Sequence, residues 1–207
     1  MIQLKRYFFI FIAVNLIGIA VALILESGLG CDPIGLLCDG ISKFFSIQFG
    51  IASFYYNVGI IILALLLARK NLGMGTISYG LLSGFFIDFY RMIFINLGIA
   101  EMGIAMLILA FVVGEICMSL AFAILMQLDL GMTALDAVLI KIKEKLNIPY
   151  SYVKIATDIL LVLTGTMLGG TFGAGTIISA LVTGILVERL GKMIKRVQEN
   201  FKRAEVV

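Results

Sequence analysis

The sequence predicts an all-α fold, a polytopic transmembrane helix bundle built from two tandem repeats, and three observations carry that reading. Of 207 residues, 61% are hydrophobic, with a mean hydropathy of +1.11, whereas soluble domains are roughly 45–50% apolar. The apolar residues gather into runs closed by glycine, proline or basic residues. Two motifs also recur: LGCDPIGLLCDGI at Leu29–Ile41 answers LGMTALDAVLIKI at Leu130–Ile142, and GMGTISYGLLSG at Gly73–Gly84 answers GAGTIISALVTG at Gly173–Gly184, at offsets of 101 and 100 residues. A fixed offset of this kind marks a duplicated unit, here long, short, long, long. The expected organisation is six long spans plus two short partial-depth helices: a first repeat over residues 1–97, a second over 98–190, and a cytoplasmic amphipathic basic tail over 191–207.

In chain order, Lys5 and Arg6 precede an apolar run from Tyr7 to Leu25. This run is too long for a signal peptide and lacks a small-residue cleavage site, so it reads as the first span. Gly28 and Gly30 then break the helix, Asp32 can cap a new helix, and Pro33 suits its first position. That helix, running to about Phe45, has Asp39 and Lys43 four residues apart, where they can pair. At about 1.5 Å per residue it is shorter than the roughly 30 Å hydrocarbon core. Further spans are expected at Phe49–Ala68, Thr76–Ile95, Gly103–Met126, Tyr150–Leu168 and Thr176–Leu190, with a second short helix at Leu130–Lys145. From Glu188 the tail carries Arg189, Lys192, Lys195, Arg196, Lys202 and Arg203, and reads as an amphipathic helix on the inner leaflet.

Basic residues orient the chain in the plasma membrane with both termini cytoplasmic. If the short helices do not cross, the halves are inverted and only Lys43 and Arg91 of 16 basic residues fall outside; if they cross, the halves are parallel and only Arg69 and Lys70 do. The six-span arrangement is preferred because short segments holding Asp39 or Asp136 are poor candidates to cross alone. The net charge of +3 sits at helix ends, so the partner it implies is the lipid bilayer and not nucleic acid. There is no tryptophan, and the seven tyrosines are the interfacial anchors. With no histidine and three cysteines, Cys31, Cys38 and Cys117, the sequence suggests no metal, no cofactor and no enzyme. The cysteines read as small packing residues.

Candidate site residues come from polar groups inside apolar runs. Asn57 and Asp158 occupy equivalent positions, roughly nine residues and about 14 Å into their spans. An acid at that depth costs roughly 2.5–3.5 kcal/mol and needs a partner, water or ligand; Lys154, one turn away, offers the purely structural alternative. Glu115 lies mid-span and should face the interior. Glu26 and Gln127, just before the two breaks, read either as lining a vestibule to one centre or as solvated helix ends. Asp32, Gly30 and Gly131 complete the set at the breaks. Asp88 with Arg91, and Glu188 with Arg189 and Lys192, read as interfacial anchors. Gly80–Gly84 and Ala180–Gly184 are small-xxx-small patterns that predict close helix approach. GGTFGAG at Gly169–Gly175 is not a phosphate loop, since no strand precedes it and no lysine follows.

Leu29-Gly30 with Pro33, Gly50 followed by Asn57, and Gly73-Met74-Gly75-Thr76 with Asp88 make a pattern that recurs at Leu130-Gly131, Gly173-Ala174-Gly175-Thr176 and Glu188. Together these resemble the YczE/YyaS/YitT group of bacterial integral membrane proteins. Cys31-Asp32, and Thr133-Ala134 without a proline, depart from the group's pattern. The resemblance implies fold and location more than activity. Two functions stay open: a small-molecule or ion permease with its site at the repeat interface, and a non-transporting membrane partner that stabilises or recruits another protein through its small-residue helix faces and basic tail; the same faces could also pair in a homodimer.

Overall fold

A computed structural model describes residues 2–69, 72–127 and 133–204. Among them are eight α-helices: α1 Ile2–Ser27, α2 Pro33–Phe45, α3 Phe49–Leu67, α4 Met74–Asn96, α5 Ile104–Gln127, α6 Ala134–Leu146, α7 Tyr150–Met167 and α8 Ala174–Ala204, with a 3₁₀ turn at Ile99–Glu101 between α4 and α5. By length and composition, three are apolar enough to cross a membrane: Tyr7–Ser27 of α1, Phe49–Leu67 of α3 and Ile104–Gln127 of α5. The other three long helices are diluted by polar residues, such as Lys154 and Asp158 in α7 and Asp88 and Arg91 in α4. Large apolar side chains are exposed on several helices, among them Leu66 of α3, Phe85 of α4, Met167 of α7 and Leu181 of α8. Water would not tolerate so much apolar surface on a monomer, and lipid favours it.

The short helices form where the local signals place them. The Asp32 carboxylate accepts the Ile34 amide at 3.3 Å, and Pro33 opens α2. Thr133 caps α6 by accepting the Asp136 amide at 3.1 Å. Both helices are 13 residues long, and both end on a non-glycine residue in the left-handed region, Ser46 at φ 52° and Asn147 at φ 53°. Leu130 to Met132, where the second short helix was expected to begin, and with them Gly131, lie outside the described residues.

Helices α1 and α5 pack together at the centre, α4 lies along α1, and α8 lies along α5. Each short helix reaches across the chain, α2 onto α7 and α6 onto α3. The first of these contacts is very close. A Cβ on Gly165 of α7 would stand 2.8 Å from the Leu36 carbonyl and the Leu37 amide of α2, and one on Gly40 of α2 would strike the Gly165 carbonyl. Only glycine permits backbones to meet at that distance.

Two expectations change. The tail is continuous with the last long helix: α8 runs unbroken from Ala174 to Ala204, because between Thr176 and Ala204 there is no proline and only the isolated Gly184 and Gly191 weaken the helix. At about 1.5 Å per residue it measures roughly 46 Å, longer than the hydrocarbon core. The two small-xxx-small faces also part company. Gly84 meets the Gly50 backbone of α3, whereas a Cβ on Gly184 would meet open space.

Candidate functional site

The break between α1 and α2 is built by backbone contact with the second half. Gly30, at φ 96°, holds a conformation that side chains disfavour, and a Cβ there would lie 2.8 Å from the Gly173 amide. The Gly175 amide donates to the Leu29 carbonyl at 2.8 Å. Beside this junction the α7–α8 loop is clamped to α2: Asp39 Oδ2 accepts the Thr171 amide at 2.7 Å and the Thr171 hydroxyl at 2.9 Å, and Lys43 Nζ reaches Asp39 at 2.7 Å and Thr171 Oγ1 at 2.5 Å. A cavity of about 60 Å³ lies against the clamp, with Gly28, Asp39, Lys43 and Arg91 in its wall. Charge-assisted hydrogen bonds of this kind are roughly twice as strong as neutral ones. The Asp39–Lys43 pair expected from spacing is present; Thr171, 132 residues from Asp39, carried no sequence signal.

Glu26 is buried and accepts from Arg91 Nε at 2.8 Å. Gln127 packs instead against Gly191 of α8. Of the two alternatives for these residues, simple helix-end solvation does not describe Glu26, which is buried and paired. Asp88 Oδ1 accepts the Gly50 amide at 2.8 Å at the start of α3. Glu188 and Lys192 do pair, at 2.5 Å and fully at the surface.

Asn57 is buried on α3, its amide nitrogen 3.3 Å from Ser53 Oγ. Lys154 and Asp158 pair at 2.5 Å on α7, with 35% and 22% of their side chains exposed. Asn57 and Asp158 are thus each held by the residue one turn earlier on their own helix. Further polar groups stand at the N-termini of the short helices. Asp32 caps α2 and Asp136 lies in the first turn of α6, while Tyr56 of α3 and Tyr79 of α4 pack, partly buried, against the central core. Asp136 is tied down by the Thr133 and Tyr150 hydroxyls, each at 2.7 Å. The Tyr56 hydroxyl is buried without a hydrogen-bond partner among the described residues. Tyr56, next to Tyr55, and Tyr79 carry no sequence signal of their own, because tyrosines in apolar runs look like interfacial anchors.

Glu115 faces the interior as expected, 4% exposed. Its carboxylate accepts from the Ser179 hydroxyl and, at 2.9 Å, from Thr183 Oγ1, both on α8. The three cysteines are free, Cys31 and Cys38 buried as packing residues. Among the described residues no cluster of three or more metal-ligating acids, cysteines or histidines occurs.

A family of unknown function, DUF6198, matches the chain over residues 4–192. The chain is a DUF6198 protein. Three relatives extend the comparison: an uncharacterised protein of Haemophilus influenzae, 25% identical over 94% of this chain and 87% of its own length; the uncharacterised protein YyaS of Bacillus subtilis, 23% identical over 92% and 94%; and YczE of Bacillus subtilis, described as an uncharacterised membrane protein, 24% identical over 88% and 83%. YyaS and YczE bear out the resemblance seen in the sequence motifs. No solved structure matches the DUF6198 chain significantly. The apolar helices and the kinship with YczE make this DUF6198 chain an integral membrane protein of the all-helical class.

Proposed function

We propose that the chain is a small permease of the plasma membrane, with both termini cytoplasmic, built from two inverted copies of one four-helix unit. The solute site lies where the two short helices begin, among Asp32, Tyr56, Tyr79, Asp136 and the Lys154–Asp158 pair. The observation that carries this reading is the crossed seating of the short helices, α2 on α7 and α6 on α3. Partial-depth helices that start at mid-membrane and lodge in the opposite half are how repeat-built transporters place polar helix ends around a substrate.

Two contacts support the inverted arrangement. Arg91, at the far end of α4, pairs with Glu26 at the end of α1, and Lys43 shares a cavity wall with Gly28. The first sets the far ends of α4 and α1 on one side, as inversion requires, and the second supports α2 as a segment that enters and returns on that side, where the Asp39–Thr171 clamp lies. The protein reconstituted alone in liposomes is expected to take up a small solute saturably, or to melt higher in its presence. A broad metabolite screen negative for both, with reproducible co-purification of one membrane protein, overturns the reading.

That result is what a second reading, an accessory protein docking through α8, predicts. One observation favours it: the Ala180–Gly184 face of α8 is exposed, with open space beside Gly184.

A further inference from the structure

The groups around Glu115 leave a charge and an oxygen unaccounted for. Among the described residues no basic side chain pairs with this buried carboxylate: the ion pairs are Lys43–Asp39, Arg91–Glu26, Lys141–Glu144, Lys154–Asp158 and Lys192–Glu188. Its partners are hydroxyls. Thr183 Oγ1 lies 2.9 Å from Glu115 Oε2 and 2.6 Å from the Ser179 carbonyl oxygen, and its one proton can serve only one of these acceptors. One turn further along the same face of α5 stands Ser119. It is 0% exposed, and its hydroxyl has no hydrogen-bond partner among the described residues. A buried, unpaired hydroxyl costs about 1–3 kcal/mol, and a carboxylate with no counter-charge costs more.

We propose that Glu115, Ser119, Ser179 and Thr183 bind one small, hard monovalent cation, of the size and chemistry of sodium, between α5 and α8. The four side chains offer oxygen ligands only, the set a hard cation takes. They carry a single negative charge, which one monovalent ion neutralises and a divalent ion would leave in excess. A proton on Glu115 would satisfy the carboxylate and Thr183 but would leave Ser119 unpaired. Bound cation gives every one of these oxygens a partner. The site goes beyond the proposed transport activity and stands without it, since binding is read on the protein alone.

The test is the melting temperature of the purified full chain in detergent, with sodium chloride titrated against choline chloride at constant ionic strength and at two pH values. The expected result is a saturable rise with sodium, smaller with potassium. Glu115→Gln keeps an acceptor for the hydroxyls and removes the charge, so it folds and loses the sodium response. Ser119→Ala removes a hydroxyl that has no partner, so it melts at least as high as the parent without sodium and needs about tenfold more sodium for half its response. A melting temperature that follows pH and ignores sodium assigns Glu115 a proton and overturns the proposal. So does a sodium response that Glu115→Gln retains in full.

Discussion

Gly165→Ala is the substitution that tests how the halves are joined. The added methyl carbon would lie 2.8 Å from three backbone atoms of α2, those of the Leu36 carbonyl and the Leu37 amide. Non-bonded carbons settle at about 3.5–4.0 Å, so α2 and α7 must part by most of an ångström, and two backbones cannot give way by rotating a side chain. Overpacking of this kind costs roughly 1–3 kcal/mol. At about 2–4 °C per kcal/mol for a chain of this size, the melting temperature falls by roughly 2–12 °C. The control is Gly184→Ala on α8, where a Cβ meets nothing. Alanine is the better helix former there by up to about 1 kcal/mol, so this variant melts level with the parent or higher. The readout is thermal unfolding in detergent, followed by circular dichroism or thiol-reactive dye. If Gly165→Ala melts with the parent while Gly184→Ala falls, α2 does not sit on α7 and the argument from crossed short helices collapses.

Three further outcomes are expected. Asp158→Asn lowers the melting temperature, and replacing Lys154 and Asp158 together by leucine restores it; with both side chains partly exposed the single loss is about 1–2 kcal/mol, and a single variant as stable as the parent shows that the pair contributes nothing. Asp39→Asn frees the α7–α8 loop, so amide exchange at Thr171 quickens about tenfold or more, matching the loss of a charged acceptor at roughly 1.5–3 kcal/mol; unchanged exchange there rules out the clamp. In a chain cleared of its native thiols, cysteine at position 43 reacts with an impermeant reagent on intact cells and cysteine at position 69 does not, and the reverse pattern sinks the inverted arrangement.

What the sequence made legible was local. The glycine break, the Asp32 cap, Pro33 and the Asp39–Lys43 pair each depend on neighbours within a few residues, and all stand as read. The starts of α3 and α7, Phe49 and Tyr150, keep the offset of 101 seen in the motifs. Partners across the chain were not legible. Nothing in the motifs says that Glu26 would meet Arg91, that Asp39 would seize Thr171, or that Glu115 would face two hydroxyls of α8. Positions that match in sequence also need not share an environment: of Gly84 and Gly184, one is pressed against Gly50 and the other stands clear. The signal for Ser119 was present, since it follows Glu115 at helical spacing, but a serine in an apolar run reads as filler until its burial is known.

The exchanged seating of α2 and α7 also sets an order of events during biogenesis. Between Phe45 and Tyr150 lie just over a hundred residues, so at roughly 5–20 residues per second α2 waits about 5–20 s after synthesis before the helix it packs on emerges. Through that interval a segment too short to span has no finished groove to occupy, and a chain truncated before α7 never provides one. Either half expressed alone therefore lacks the surface that completes its own short helix, while the two expressed together carry everything needed to restore both.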